Sequence, residues 1–248
     1  MTDQREKFRE DGFVAVEAFF SKNELVEIET ALDLFMREVN PTLPSSDIFY
    51  ELKSDLSSLK QIQRMHEYDG FFARLINGKP RRLAEELLGE LVVVKNMQYF
   101  NKPPSIGQAT PPHQDGYYFM LEPCHALTMW VALDEVDEEN GCVRYVRYSH
   151  RDGMRPHERT QTLGFSLGIA DFGAKSSERD EVACPASPGD LLAHHALTVH
   201  RADANSSAVR SRRALGFIFY AESAQEDTAA HQAYKQALER ELAEAGKI

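Results

Sequence analysis

Leu91-Val-Val-Val-Lys-Asn-Met-Gln-Tyr-Phe100 is the stretch that decides how the chain is built. Its β-branched and aromatic residues read as a strand. Segments 126–133, 142–146, 163–170, 190–199 and 213–220 share that character. Asp-Glu-Glu-Asn-Gly at 137–141 and Pro-Gly-Asp at 188–190 supply turns between them. Several strands joined by turns, without intervening helices, predict an antiparallel sandwich or jelly roll.

Upstream of Leu91 the pattern is helical. Ser21-Lys-Asn-Glu24 has the form of a capping box. Behind it Leu25, Ile28, Leu32, Phe35, Met36 and Val39 recur at helical spacing, and Asn40-Pro41 ends the run. A polar stretch to about Asp55 reads as a loop, and 41–56 as a candidate lid, because long loops without structure are often functional. Two further helices are expected near 70–77 and 80–88, the second closed by Gly89. The expected layout is α+β with a mainly β core: a mostly helical flank over 1–90, a core over 91–222, and a region over 223–248 holding a closing helix at 224–245. A length of 248 residues suits one domain, since single cores stop growing only beyond ~250–300 residues.

The formal net charge is −11, which disfavours phosphate backbones, so no nucleic-acid partner is expected. No apolar run approaches the ~20 residues of a membrane span, and the charged N-terminus does not read as a signal peptide. Three scattered cysteines, Cys124, Cys142 and Cys184, argue against a disulfide framework and for a reducing cytoplasm. None forms a Cys-x-x-Cys pair, so a structural zinc site is not expected. The sequence does not indicate an oligomeric state.

Nine histidines are present, and a lone one carries little meaning. His-x-Asp is different, because residues i and i+2 of a strand share a face and can aim at one point. A distant histidine would complete a set of two imidazoles and one carboxylate, which leaves iron positions open. The chain has two such pairs, His113-Gln-Asp115 and His150-Arg-Asp152. The first follows a strand and a Pro/Gly loop and precedes Tyr117-Tyr-Phe119, suited to lining a pocket. The second lies among Arg144, Arg147, Arg151 and Arg155 and reads as a solvated loop, although those arginines could meet an anionic substrate. For the third ligand, His194 and His200 share strand parity, and periodicity does not choose between them. Downstream, Arg212 opens an apolar strand. A guanidinium there needs a partner, and a carboxylate bound through two bonds would serve.

Together these residues resemble the phytanoyl-CoA dioxygenase family of Fe(II)/2-oxoglutarate oxygenases. The matching stretches are Asn101-Lys-Pro-Pro104, His113-Gln-Asp115 with Tyr118-Phe119, Asn140-Gly-Cys142, Pro188-Gly-Asp190, His200 with Asn205, and Arg212-Arg-Ala. They come in the family's order, and Asp11-Gly-Phe-Val14 resembles its opening. The resemblance implies a cupin-like double-stranded β-helix with N-terminal and C-terminal helices. It implies that His113, Asp115 and His200 bind iron and that Arg212 pairs with the far carboxylate of 2-oxoglutarate. Gln98, Trp130 and Lys60 fall where further contacts to that co-substrate are expected. The implied reaction consumes O2, releases succinate and CO2, and hydroxylates a small molecule; a retained Asp115 disfavours halogenation. Two departures, Arg147-Tyr-Ser-His150 and Arg201-Ala202 after His200, leave the substrate open. Two other readings compete: a cupin-like metalloenzyme without 2-oxoglutarate, and a ligand-binding module without catalysis.

Overall fold

The computed structural model describes residues 3–162, 165–174 and 180–244. Helix α1 (Asp3–Asp11) leads into strand β1 (Phe13–Val16) and helix α2 (Lys22–Glu38). The capping box forms: Glu24 N–H donates to Ser21 Oγ, and Ser21 N–H donates to Glu24 Oε2 at 2.9 Å. Then come β2 (Ile48–Tyr50), β3 (Leu59–Ile62), α3 (Met65–Tyr68), α4 (Gly70–Ile76) and α5 (Lys79–Leu88). Asp69 caps α4 by accepting from the Phe71 and Phe72 N–H groups, and Gly89 ends α5 in the left-handed region at φ 81°.

The core strands are β4 (Val92–Lys102), β5 (Thr110–His113), β6 (Leu121–Glu122), β7 (Ala126–Ala132) and β8 (Val143–Val146). A one-turn helix, α6 (Gly116–Phe119), follows β5. Further strands are β9 (His157–Thr162), β10 (Phe165–Ile169), β11 (Glu181–Cys184), β12 (Leu191–His195), β13 (His200–Ala202), β14 (Arg212–Ala221) and β15 (Gln225–Glu226), and α7 (Thr228–Glu244) closes the described chain. The expected strand start at 163 and the helix end at 245 lie outside the described residues.

A seven-stranded antiparallel sheet runs β1-β12-β7-β14-β4-β3-β2, and a four-stranded sheet runs β11-β8-β13-β5. The architecture is the expected jelly roll. On β14, Leu215, Phe217 and Phe219 face outward into a core shared with Ile28, Leu32 and Phe35 of α2 and Phe72 of α4. Phe35 and Phe72 meet edge to face there, with centroids 5.4 Å apart. Arg212, Ala214 and Gly216 alternate to the inner face. A second core joins the sheets: Trp130, Leu192 and Ala214 of the large one meet Val143, Tyr145 and Cys184 of the small one.

Helices dominate residues before 90, and β1, β2 and β3 there join the large sheet. Two expectations need correction. The 41–56 segment is not an open loop: β2 pairs with β3, and buried Asp47 is ion-paired to Arg64. Segment 190–199 is not one strand either. Thr198 N–H donates to His195 O, and Thr198 Oγ1 donates to Gly12 O, making a corner after β12. The chain then crosses to the small sheet, so the parity shared by His194 and His200 does not hold; they stand on opposite sheets.

Candidate active site

His113 and His200 are register partners on β5 and β13, with ring centroids 4.1 Å apart. Each turns Nδ1 to a backbone carbonyl two residues upstream, His113 to Pro111 at 2.8 Å and His200 to Thr198 at 3.0 Å. A carbonyl only accepts, so Nδ1 carries the proton and Nε2 keeps its lone pair. Asp115 sits in the turn that opens α6. Its Oδ1 lies 3.3 Å from His113 Nε2 and 3.7 Å from His200 Nε2. Burial, with His113 and His194 beside it, holds the His200 ring neutral. Burial also opposes ionisation of Asp115, but its neighbours His200, His113 and His194 hold its carboxyl well below the usual range.

Ligand atoms of His113, Asp115 and His200 all lie within 4.8 Å of one another. Two imidazole lone pairs and a carboxylate oxygen converge with no proton between them. They repel one another unless a cation sits among them, and this donor set suits non-haem iron. His150-Arg-Asp152 is elsewhere: His150 Nε2 meets Arg9 O.

His194 also enters the centre, from β12. Its Nε2 is 3.0 Å from Asp115 Oδ2, its Nδ1 is 3.0 Å from the Tyr145 hydroxyl, and its ring is 4.1 Å from that of His200. Thr128 Oγ1 donates to the same Oδ2 at 2.5 Å. Thr128 and Tyr145 carried no signal in the sequence. His194 carried one, since the sequence offered it beside His200 as a candidate third ligand.

Arg212 stands at the start of β14, buried at 5% exposure. Its Nε has no partner, and no hydrogen bond or ion pair reaches the guanidinium among the described residues. It lies over the Trp130 ring, 5.3 Å from the centroid. Burial pulls its pKa down to about 10, so it stays charged at neutral pH. An uncompensated buried charge costs several kcal/mol. Gln98, Gly216 and Trp130 form one row across β4, β14 and β7. A Cβ at Gly216 would lie 2.6 Å from the Phe100 ring, so only glycine fits that row without displacement.

Lys60 is buried and ion-paired to Glu51 at 3.2 Å. Lys102, which the sequence did not single out, pairs with Arg212 in register and donates to Asp203 O at 2.6 Å. Burial first, then Arg212 and Lys60, push its ammonium well below the ordinary lysine value.

The substrate-facing expectations fare unevenly. Tyr118 donates to Leu167 O at 2.7 Å, and Tyr117 stacks on His157. Phe119 is a core residue against Tyr220. The arginines of 144–155 are engaged within the protein: Arg144 with Asp203, Arg147 with Asp11, Arg151 with Glu10 O, and Arg155 with Asp171.

Known proteins share this architecture. EvdO2 from Micromonospora carbonacea var. aurantiaca is 27% identical, with a TM-score of 0.71, covering 92% of this chain and 94% of its own. Another structure of EvdO2 is a complex with 2-oxoglutarate. EctD from S. alaskensis, solved with 2-oxoglutarate and 5-hydroxyectoine, has the same fold at 22% identity and a TM-score of 0.75, covering 90% of this chain and 77% of its own. Fold and metal-competent centre place the chain among the Fe/2-oxoglutarate-dependent oxygenases. It belongs to the phytanoyl-CoA dioxygenase family, whose model, Phytanoyl-CoA dioxygenase (PhyH), matches residues 8–214. A phytanoyl-CoA dioxygenase domain-containing protein 1 homolog of Caenorhabditis elegans is 28% identical over 256 residues, covering 86% of this chain and 88% of that protein.

Proposed function

We propose that this oxygenase hydroxylates a small molecule, with His113, Asp115 and His200 holding Fe(II) and Arg212 anchoring 2-oxoglutarate. The observation that carries this reading is the buried, unpartnered guanidinium of Arg212 in the jelly roll that holds the triad. When bound, iron and 2-oxoglutarate supply O2-dependent oxidation of a C–H bond, with release of succinate and CO2.

The chain's own residues have simpler tasks. Backbone carbonyls at Pro111 and Thr198 fix both imidazoles with Nε2 inward. Arg212 offers a fork of donors matched to a carboxylate, and Trp130 holds that fork in place. Gln98 lies in the same row and offers an amide to the co-substrate, while its Oε1 accepts from Gln61. Lys60 adds positive potential near Lys102, although Glu51 already holds its ammonium.

No helix among the described residues is long and apolar enough to cross a membrane. A reducing, cytoplasmic setting is supported by Cys124, Cys142 and Cys184, all free.

The test is an anaerobic titration of apo-protein with Fe(II) and then 2-oxoglutarate, following the visible charge-transfer band of the chelate. The band is expected in wild type, absent in His113→Ala, and seen only at far higher 2-oxoglutarate in Arg212→Ala. Iron binding without a band in wild type would turn the assignment towards a cupin-like metalloenzyme.

A further inference from the structure

We infer that His194 is a positioning residue which, with Thr128, holds Asp115 Oδ2 away from the metal, so that Asp115 ligates through Oδ1 alone. The inference rests on Asp115 being an iron ligand.

The argument starts from what each atom can do. An ionised carboxylate only accepts hydrogen bonds. His194 Nε2, at 3.0 Å from Asp115 Oδ2, must therefore carry a proton and donate. A neutral ring then has a bare Nδ1, which accepts from the Tyr145 hydroxyl at 3.0 Å. The chain of donors runs Tyr145 to His194 to Asp115. His113 and His200 have the opposite tautomer, with the proton on Nδ1 against a carbonyl. Three imidazoles crowd one centre, yet only two present a lone pair to Asp115 Oδ1. That separates His194 from His200, which strand parity could not do.

The two carboxylate oxygens are thereby divided. Oδ1 faces the lone pairs of His113 and His200. Oδ2 takes hydrogen bonds from His194 and Thr128. His194 and Thr128 are register partners on β12 and β7, so both donors come from the rigid large sheet. Tyr145 is fully buried and stacks on Phe13 with centroids 4.5 Å apart, which fixes the far end of the chain. A carboxylate held this way cannot swing to bind through both oxygens, and one coordination position is kept for the co-substrate or O2.

Co(II) serves as a spectroscopic probe of the site. Wild type, His194→Phe, His194→Gln, Thr128→Val, Tyr145→Phe and His113→Ala are titrated, with each fold checked by circular dichroism. His194→Phe is expected to bind one Co(II) about 10–100-fold more weakly, the usual effect of losing a group that orients a ligand. Its visible d–d bands should weaken as the freed Oδ2 joins the coordination shell. His194→Gln, whose amide can donate, should restore both. Wild-type affinity and bands in His194→Phe would overturn the inference. So would complete loss matching His113→Ala, which would make His194 a ligand. Failure of His194→Gln to rescue would reduce His194 to filler and overturn it as well. If His194→Phe does not fold, Thr128→Val and Tyr145→Phe decide: both should shift the bands in the same direction, and unchanged bands refute the clamp. A wild type that binds no Co(II) would defeat the iron-site assignment itself, and the inference with it, a result distinct from all the others.

Discussion

Lys102 and Arg212 face each other as register partners on β4 and β14, and of the two only Lys102 has acceptors among the described residues. Replacing Arg212 by Met removes a buried charge that has no partner. Such a replacement is often neutral or stabilising. Arg212→Met is therefore expected to unfold at the same or a higher temperature than wild type as apo-protein. Its affinity for 2-oxoglutarate should fall about a hundredfold or more, since two charged hydrogen bonds at about 1.5–3 kcal/mol each are lost. Thermal unfolding beside a 2-oxoglutarate titration separates the two effects. A large loss of apo stability would mean that Arg212 is structural.

Gly216→Ala tests the row between Gln98 and Trp130. The added methyl would meet Phe100, and overpacking of this kind costs about 1–3 kcal/mol. Urea unfolding should show that loss. An unchanged midpoint would mean that Phe100 moves aside freely.

Metal binding should stabilise the fold by mass action. At a hundredfold excess over its dissociation constant, Fe(II) adds about 2.7 kcal/mol. Anaerobic thermal shifts should show the gain in wild type and none in His113→Ala. A gain retained in that variant would place the metal elsewhere.

Acid sensitivity is predicted at His195. Burial first, then His150 and His125, lower its pKa to about 3. Below about pH 6.5 the unfolded chain takes up a proton that the folded chain refuses. The stabilising contribution is complete above that pH and is lost as pH falls towards 3. At pH 5 the loss approaches about 2 kcal/mol as an upper value. His195→Asn, whose Oδ1 can accept from Leu197 N–H, should flatten the decline in unfolding free energy between pH 7 and pH 5. An equal slope in both proteins would shift the blame to other groups.

Much of this molecule is legible in its residues. The change of pattern at Leu91, the capping box at Ser21 and the helix stop at Gly89 give the layout directly, because each is a local signal. The centre was partly legible: His113-Gln-Asp115 is a local pair, and metal-site chemistry could be read from it. β2, with three residues, is too short for period-two alternation to stand out. The break after His195 is invisible because a hydrogen bond to Gly12, 186 residues away, helps to hold it. His194, Thr128 and Lys102 gain their roles from strand neighbours, and no spacing along the chain encodes who those neighbours are.

The corner joining β12 to β13 has a consequence for how the protein is made. Gly12 leaves the ribosome 186 residues ahead of Thr198, and His200 follows shortly after that. Nascent chains lengthen at about 5–20 residues per second, so the first strand waits many seconds for its neighbour. Contacts this distant in sequence also form slowly. His113 and Asp115 are made long before His200 arrives to complete the set, and iron can be fully enclosed only once His200 has been added.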